Sequence, residues 1–294
     1  MRLVIALGGN ALLPKGRGTA ADQLKAAKSA LSKLSGVLGT HQVALTHGNG
    51  PQVGSLLLQQ RAARLVPKMP LDVLDAMTQG EIGYFMAGAL PGRSAVLLTR
   101  AVVDEKDPAM RNPAKPVGPF YRTKPKTGNG KPGARYVMDS GRGYRLVVPS
   151  PMPRRIPEKD AILSLLERGF TVVCGGGGGI PVNARGRGVE AVIDKDNFSS
   201  LLASEIRADE LVFITSVPCA YSDFGRRWEK RIGKIGARDI RRLLREGHFA
   251  EGSMKPKVGA ALDFLRRGGK RAIICSIGNI KDALKGKAGT IISP

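Results

Sequence analysis

Glycine-rich turns that follow short apolar runs are the part of this sequence best suited to chemistry. One follows residues 43–46 and reads HGNGP, one follows residues 2–7 and reads GGN, and one follows residues 172–174 and reads GGGGG. A strand that turns sharply into a helix leaves backbone N–H groups unpaired, and together with the helix dipole these attract an anion, most often a phosphate. One such turn is usually only a tight loop. Three are hard to explain by packing, because glycine costs backbone entropy and adds nothing to a core, so they indicate backbone that approaches a ligand.

Lysines near predicted helix starts point to the same kind of ligand. Lys195 lies between Asp194 and Asp196 ahead of a helical pattern, and Lys255 and Lys257 lie at the start of another. A cation at a helix N-terminus is unfavourable for stability, so its presence indicates a bound phosphate nearby. Ordinary surface lysines remain the alternative for Lys255, and less so for Lys195.

Strand-like and helix-like runs alternate along most of the chain. The clearest helix is predicted over residues 20–38, with Leu24, Ala27, Leu31, Leu34 and Leu38 on one face. Strands are predicted at 2–7, 42–46, 94–99, 170–174, 210–215, 271–276 and 289–292. Such alternation predicts an α/β fold with a mostly parallel sheet covered on both sides. Ligands of such sheets bind at the carboxyl ends of the strands, where all three glycine turns would lie.

Residues 104–157 interrupt this alternation. They hold ten of the nineteen prolines, with many glycines and basic residues. A disordered linker is one reading, but Phe120, Tyr121, Val137 and Leu146 are among the apolar residues that could pack together. We therefore predict a small subdomain inserted as a lid.

The composition is that of a basic globular protein. The 294 residues carry a net charge of +23, which suits a nucleic-acid binder or an enzyme whose substrates are all anions. No zinc-finger spacing, ribonucleoprotein signature or Walker-type phosphate loop is present, and the arginines at 241, 242 and 245 fit a solvated helix face. Three widely spaced cysteines and the lack of a long apolar run favour a reducing, cytoplasmic setting without membrane insertion.

In eight motifs the sequence resembles the carbamate kinases, a branch of the amino-acid kinase superfamily. The motifs run in family order over essentially the whole chain, and such a set is highly specific. They are ALGGNAL (6–12), THGNGPQVG (46–54), MTQGEIGY (77–84), DPAMRNPAKPVGPFY (107–121), DSGRGYRLVVPSP (139–151), GGGGIPV (176–182), GVEAVIDKD (188–196) and GSMKPKV (252–258).

The resemblance implies a three-layer αβα sandwich with a mobile lid, a homodimer, and reversible phosphoryl transfer between ATP and carbamate with Mg²⁺. Residues 1–174 would bind carbamate or carbamoyl phosphate, and residues 175–294 would bind ATP or ADP. Neither a membrane nor a specific nucleic acid is expected as a partner. Phosphorylation of another small acid, and a non-catalytic nucleic-acid-binding or regulatory role, remain as alternatives.

The resemblance also assigns roles to individual residues. Lys115 from the lid, Lys195 and Lys257 would surround the transferred phosphoryl group, and Asp196, with Asp194, would hold the lysines or Mg²⁺ in place. The Mg²⁺ would be carried mainly by the nucleotide rather than by a dedicated protein site. The expected phosphate or carbamoyl contacts are Gly8, Gly9, Asn10, Gly48, Asn49, Gly50, Gly176 and Gly177, and the expected nucleotide contacts are Tyr221, Met254 and Lys257.

Two features depart from the family pattern. Where the family usually reads TDV followed by an acidic or amide residue, this chain has Ser216 and Pro218, which leaves the contacts near the ribose and base undetermined. Lys255 replaces a common glycine and is expected to add a charge beside the phosphates.

Overall fold

The computed structural model describes residues 1–8, 18–63, 65–125, 134–139 and 143–294. Its helices are α1 (Ala20–Leu38), α2 (Gly50–Ala62), α3 (Leu71–Ala87), α4 (Pro108–Arg111), α5 (Lys159–Glu167), α6 (Lys195–Glu205), α7 (Ala237–Arg245), α8 (Met254–Arg266) and α9 (Ile280–Leu284). Among these described segments, no helix has the length and apolar character needed to cross a membrane.

The strands alternate with these helices over most of the chain. They are β1 (Arg2–Leu7), β2 (Gln42–His47), β3 (Ser94–Leu97), β4 (Arg100–Val103), β5 (Lys115–Tyr121), β6 (Arg135–Met138), β7 (Tyr144–Val148), β8 (Pro153–Arg155), β9 (Thr171–Cys174), β10 (Ile180–Val182), β11 (Glu210–Thr215), β12 (Ala220–Ser222), β13 (Lys230–Ile232), β14 (Lys234–Gly236), β15 (Arg271–Ser276) and β16 (Thr290–Ser293). Each strand expected from the sequence is present, with ends that differ by a few residues at most.

The largest sheet among the described residues has eight strands in the order β14-β16-β15-β11-β1-β2-β9-β3. Neighbouring strands run parallel except β15 and β16, which pair antiparallel. In register, Leu7 of β1 lies opposite His47 of β2 and Ile214 of β11. The carboxyl ends of these central strands therefore lie side by side, and the predicted mostly parallel sheet is confirmed.

Both faces of this sheet are buried, which makes the fold a three-layer αβα sandwich. Successive side chains of a strand point to opposite faces, and β1 shows this clearly. Val4 and Ala6 belong to a core that includes Phe198 of α6 and Phe264 of α8. The intervening Leu3, Ile5 and Leu7 belong to a second core with α1, α3 and α9. The predicted fold class is thus confirmed.

Helix α1 shows how local sequence fixes an element of these layers. It begins after Thr19, whose hydroxyl oxygen accepts the backbone N–H of Asp22 at 3.2 Å, while the Asp22 carboxylate accepts the Thr19 N–H at 3.1 Å. This capping box satisfies two otherwise unpaired N–H groups. The predicted apolar face is buried except for Leu24, which is only partly covered, and Gln23 is buried beside it because its amide donates to Glu81.

The proline-rich segment forms a separate antiparallel sheet in the order β5-β7-β6. This sheet packs on α2, where a β-carbon at Gly54 would lie 3.2 Å from the Cα of Gly118. The predicted segment 104–157 extends beyond this sheet, since β8 pairs with β4 in another three-stranded sheet. The part that stands apart from the sandwich therefore runs from β5 to β7, and the boundaries of the two halves remain a prediction.

Candidate active site

A cleft of about 520 Å³ opens at the carboxyl ends of the central strands. Gly8 follows β1, Gly48 follows β2 and Ser216 follows β11, and all three line it. This is the position expected for a ligand site in an open parallel sheet. Further lining residues come from β5, from the stretch before α6 and from the start of α8: Lys115, Pro116, Val117, Val192, Ile193, Lys195, Gly252, Ser253 and Lys257. The cleft thus lies between the two predicted halves and the small sheet.

Asp196 joins two of the three predicted lysines. Its carboxylate is buried, Lys195 forms an ion pair with Oδ1, and the Nζ of Lys257 lies 3.1 Å from Oδ2. Lys257 also donates to the backbone oxygen of Ser253 at 3.2 Å. One carboxylate therefore fixes two ammonium groups that belong to different helices.

Asp194 joins the third lysine to the same helix start. The Nζ of Lys115 lies 2.5 Å from Oδ2 of Asp194, while Oδ1 accepts the backbone N–H of Asp196 at 2.9 Å as the cap of α6. Burial by itself would raise the pKa of Asp194, but the charge and hydrogen bond of Lys115, with the charge of Lys195, outweigh it and hold the pKa below its usual value. Asp194 is thus an ionised tether for the lysine that the small sheet provides.

The site carries an excess of positive charge. Burial lowers the pKa of Lys195, and the nearby charge of Lys257 lowers it further, while Asp196 acts in the opposite direction. Three ammonium groups against two carboxylates leave one positive charge without a partner within this group. A phosphate entering the cleft would supply the missing negative charge and relieve the repulsion between the lysines.

Glycine is present at the positions after β9 for two different physical reasons. Gly177 lines the cleft, as expected for backbone that meets a ligand. At Gly176 a β-carbon would overlap the ring of His47, and at Gly175 it would overlap the ring of Phe198. Packing beneath the site therefore requires glycine at positions 175 and 176, and the ligand contact expected of Gly176 remains a prediction.

Polar side chains below the cleft hold the turns together, and apart from Asn49 the sequence patterns assigned none of them a role. The Gln79 amide donates to the backbone oxygens of Thr99 and Gly176, each at 3.0 Å. Asn49 donates from Nδ2 to Asp75 at 3.0 Å and to Thr78 at 2.9 Å. Three of these partners lie within or just before the motif MTQGEIGY, which could have drawn attention to them.

The remaining predicted residues lie in several places. Gly9 and Asn10 are outside the described residues. Gly50 lines the cleft beside Asn49, whereas Tyr221 and Met254 are not among its described lining residues. Tyr221 packs against Phe224 with ring centroids 5.6 Å apart, and Met254 begins α8. Lys255 pairs with Glu251 at 2.5 Å and is also absent from that lining. Its charge therefore does not point into the cleft, where the sequence analysis expects it to lie beside the phosphates.

The carboxylates near the lysines, Asp194 and Asp196, suit Mg²⁺ only when phosphate oxygens supply further ligands to the metal. Across the described part of the chain, no three His, Cys, Asp or Glu side chains are grouped so as to hold a metal. The carboxylate oxygens of Asp194 and Asp196 already form ion pairs with lysines or accept backbone N–H groups. Mg²⁺ commonly binds through one or two carboxylates together with phosphates and water, and the residues present fit that arrangement.

Comparison with known proteins gives consistent relatives over the full length. Residues 1–276 match the sequence model of the amino acid kinase family. The carbamate kinase of Thermococcus kodakarensis is 44% identical, with 98% of each chain aligned, and that of Trichomonas vaginalis is 43% identical over the whole of both chains. The structure of carbamate kinase from Giardia lamblia bound to AMP-PNP superposes with a TM-score of 0.90 at 42% identity, covering 99% of this chain and 98% of that one.

Proposed function

The chain belongs to the amino acid kinase family and, within it, to the carbamate kinase branch, and we propose that it catalyses reversible phosphoryl transfer between ATP and carbamate. The observation that carries this proposal is the convergence of Lys115, Lys195 and Lys257 on one cleft at the strand ends. Two relatives named carbamate kinase align with this chain from end to end. The reaction written toward ATP converts carbamoyl phosphate and ADP into ATP and carbamate.

This reaction needs charge neutralisation more than it needs acid–base chemistry. Carbamate is already an anionic oxygen nucleophile, so no general base has to remove a proton. Its oxygen attacks the terminal phosphorus of ATP, a new P–O bond forms, and the bond to the leaving ADP oxygen breaks. The negative charge spread over the transferred group is what the protein must stabilise.

We assign that stabilisation to the lysines around Asp196. Lys195 and Lys257 would contact the transferred phosphoryl group, and Asp196 would keep both ammonium groups in fixed positions. Charges that are already oriented lower the barrier because they need not reorganise during the reaction. Lys115 would add a third cation when β5 closes over the substrate.

The turns would hold the two substrates on either side of these lysines. We propose that the backbone N–H groups of Gly8, Gly50 and Gly177 bind the phosphate or carbamoyl group, together with Gly9 and Asn10. Gly48 instead donates its N–H to the backbone oxygen of Leu7 at 3.1 Å and thereby shapes the turn. ADP or ATP would lie toward Ser216, Ser253 and Lys257 in the second half. Tyr221 and Met254 would then flank the base rather than the phosphates.

Mg²⁺ is the implied cofactor of this reaction. It would supply positive charge that neutralises part of the negative charge of the phosphates. Asp194 and Asp196 are the residues that would hold it. The chain's own part is to fix these two carboxylates at the start of α6.

We also propose a homodimer formed through the open edge of the central sheet. Strand β3 is the last strand on that side, and Leu98, which follows it, is 54% exposed. Tyr84 of the adjoining α3 is 75% exposed. An apolar patch at a sheet edge is typical of a protein interface.

The three cysteines of the protein are free and buried. We therefore place the enzyme in the reducing cytoplasm, with small-molecule substrates rather than nucleic acid or membrane as partners.

The deciding experiment is ATP formation from ADP and Mg²⁺ with carbamoyl phosphate as the sole phosphoryl donor. We expect rapid turnover. Activity with another acyl phosphate but none with carbamoyl phosphate would assign the chain to a different small acid. The absence of turnover with every donor would favour a non-catalytic role.

A further inference from the structure

Asn49 is held in one orientation by two buried residues of α3. Its Nδ2 donates to Oδ1 of Asp75 at 3.0 Å and to the hydroxyl oxygen of Thr78 at 2.9 Å. Asp75 is 1% exposed and Thr78 is fully buried. Both hydrogens of the Asn49 amide are therefore used on the side facing away from the cleft.

The hydrogen-bond pattern of Thr78 settles which end of the amide faces α3. A threonine hydroxyl has one hydrogen to donate, and Thr78 donates it to the backbone oxygen of Asp75 at 2.9 Å. Toward Asn49 this hydroxyl can only accept, so it selects the NH₂ end of the amide. Rotating the amide by half a turn would place its oxygen against two acceptors.

Asp75 has no other role visible in its surroundings. Its Oδ2 is buried without a hydrogen-bond partner among the described residues, and no Lys or Arg forms an ion pair with it there. Burial and the nearby Asp72 raise the pKa of Asp75 well above its usual value, and the hydrogen bond from Asn49 opposes this rise. Placing a carboxyl group there is costly, and the contact that it makes is the one that orients Asn49.

The Asn49 carbonyl is the group left for a ligand. Its Oδ1 accepts no hydrogen bond from the part of the chain that the structure describes, and Asn49 lines the cleft. The side chain lies against Gly177, where a β-carbon would overlap it. The next glycine, Gly178, packs against the backbone of Ile193, two residues before Lys195. Asn49 therefore lines the same cleft as the lysines that would hold the phosphoryl group.

We propose that Asp75 and Thr78 are positioning residues that turn the Asn49 carbonyl toward the substrate, where it accepts a hydrogen bond from the NH₂ group of carbamate or carbamoyl phosphate. This inference rests on the proposed function and adds a basis for substrate choice. An acid with a methyl group or an oxygen acceptor in place of NH₂ cannot donate to this carbonyl. A polar site built for an N–H group discriminates strongly against an analogue that lacks it, because its own buried polar atom is left unpaired.

The test compares two phosphoryl donors that differ at this one group. Carbamoyl phosphate carries NH₂ where acetyl phosphate carries CH₃. We expect Thr78→Val, with ADP and Mg²⁺ present, to lower kcat/KM for carbamoyl phosphate by about tenfold, on the scale of one hydrogen bond. The value for acetyl phosphate should stay nearly unchanged. Thr78→Ser, which keeps the hydroxyl, should retain the wild-type ratio between the donors.

A second pair of variants tests the same idea through Asp75. Asp75→Asn can still offer an oxygen to the Asn49 amide and should keep the ratio, whereas Asp75→Leu removes that oxygen and should lower it. Nucleotide binding by calorimetry selects the variants that are folded, and a folded variant from either pair decides the question. If acetyl phosphate is not a donor, its inhibition constant against carbamoyl phosphate supplies the comparison and should stay constant while KM for carbamoyl phosphate rises.

The outcomes separate this inference from the function on which it rests. Equal losses with both donors, or an unchanged ratio in Thr78→Val and Asp75→Leu, would show that these residues only support the fold and would overturn the inference. In that case ATP formation by the unmodified protein leaves the proposed function standing. If the unmodified protein forms no ATP from carbamoyl phosphate, the proposed function fails, and this inference fails with it.

Discussion

The three lysines of the cleft stand on two kinds of support. Lys195 and Lys257 belong to α6 and α8, helices of the sandwich, and their side chains are each 13% exposed where they share Asp196. Lys115 belongs to β5 of the small sheet, its side chain is 35% exposed, and Asp194 is its partner. The first two charges are held by helices of the packed core, whereas the third belongs to the small sheet, which contacts the sandwich through an apolar cluster of Val53, Leu71, Val117 and Val192.

This difference separates two tasks that a kinase must combine. Charge stabilisation works best with groups that do not move during the reaction. Substrate entry and product release need a part that does move. We therefore expect the fixed pair to dominate the chemical step and Lys115 to act mainly when the site closes.

The largest effect should come from removing a fixed charge. We expect Lys195→Ala or Lys257→Ala to lower kcat by about 10²- to 10³-fold, the scale for losing one preorganised charge stabiliser. Lys255→Ala is the matched control, since Lys255 lies on the same helix as Lys257 but pairs with Glu251. Steady-state ATP formation measures all three. A wild-type kcat in either of the first two variants would remove that lysine from the mechanism.

Acid should lower the folding stability through His47, which lies beneath the cleft, before it breaks the Lys115–Asp194 ion pair. Burial lowers the pKa of His47 to about 4, so between pH 6.5 and 4 the unfolded chain binds a proton at His47 that the folded chain does not. The contribution of His47 to stability is then full above pH 6.5 and is lost as the pH drops toward 4, by at most about 3.4 kcal/mol at 1.36 kcal/mol per pKa unit. The Asp194 carboxylate, whose pKa lies below its usual value, loses its contribution only at still lower pH.

Chemical denaturation across this pH range measures the slope. His47→Gln removes the titrating group and should flatten the profile between pH 6.5 and 4. His248→Gln is the control, because His248 is only partly buried and contacts Asp223 far along the chain from the glycine turns. An equally steep profile in His47→Gln would show that another group causes the acid sensitivity.

Removing the charge of Lys115 should lower the activity less than removing the charge of Lys195 or Lys257. We expect Lys115→Ala to lower kcat/KM for carbamoyl phosphate by about ten- to a hundredfold, which corresponds to the loss of one charged hydrogen bond of some 1.5–3 kcal/mol. Affinity for ADP, measured by calorimetry, should be nearly unchanged, since Lys115 lies on the small sheet. A loss as large as that in Lys257→Ala would mean that the two supports do not differ in the chemical step.

The smallest effect should appear at the nucleotide end of the cleft. Ser216 lines the cleft after β11, and a neutral hydroxyl is a weaker acceptor for ribose hydroxyls or an amino group than a carboxylate. We expect GDP, CDP and UDP to be accepted within about tenfold of ADP, and Ser216→Asp to sharpen the preference, since about 1.4 kcal/mol corresponds to a factor of ten. Comparing kcat/KM for the four diphosphates measures this. A hundredfold preference for ADP in the unmodified protein would place nucleotide selectivity elsewhere.

Much of the fold followed from local patterns in the sequence. The strands that end in glycine, the helix over residues 20–38 and the alternation of elements predicted the mostly parallel sheet, and the structure has it. Position after a strand end placed Gly8, Gly48, Gly50 and Gly177 at the cleft, because parallel strands bring their carboxyl ends to one edge. Position at a predicted helix start indicated Lys195 and Lys257, whereas Lys115 came from the family motifs, since no periodic pattern distinguishes a lysine at a site from one on the surface.

Only the tertiary structure decided which side chains meet beneath the site. Asp196 is one residue from Lys195 but 61 residues from Lys257, and Asn49 lies 26 residues from Asp75. The sequence predicts a ligand contact at Gly176, and only the structure shows that the ring of His47 excludes a side chain there. Helix and strand patterns depend on neighbours a few residues apart, so the sequence determined them directly. Contacts between distant elements depend on how those elements pack, and that is fixed only when the two cores close on the sheet.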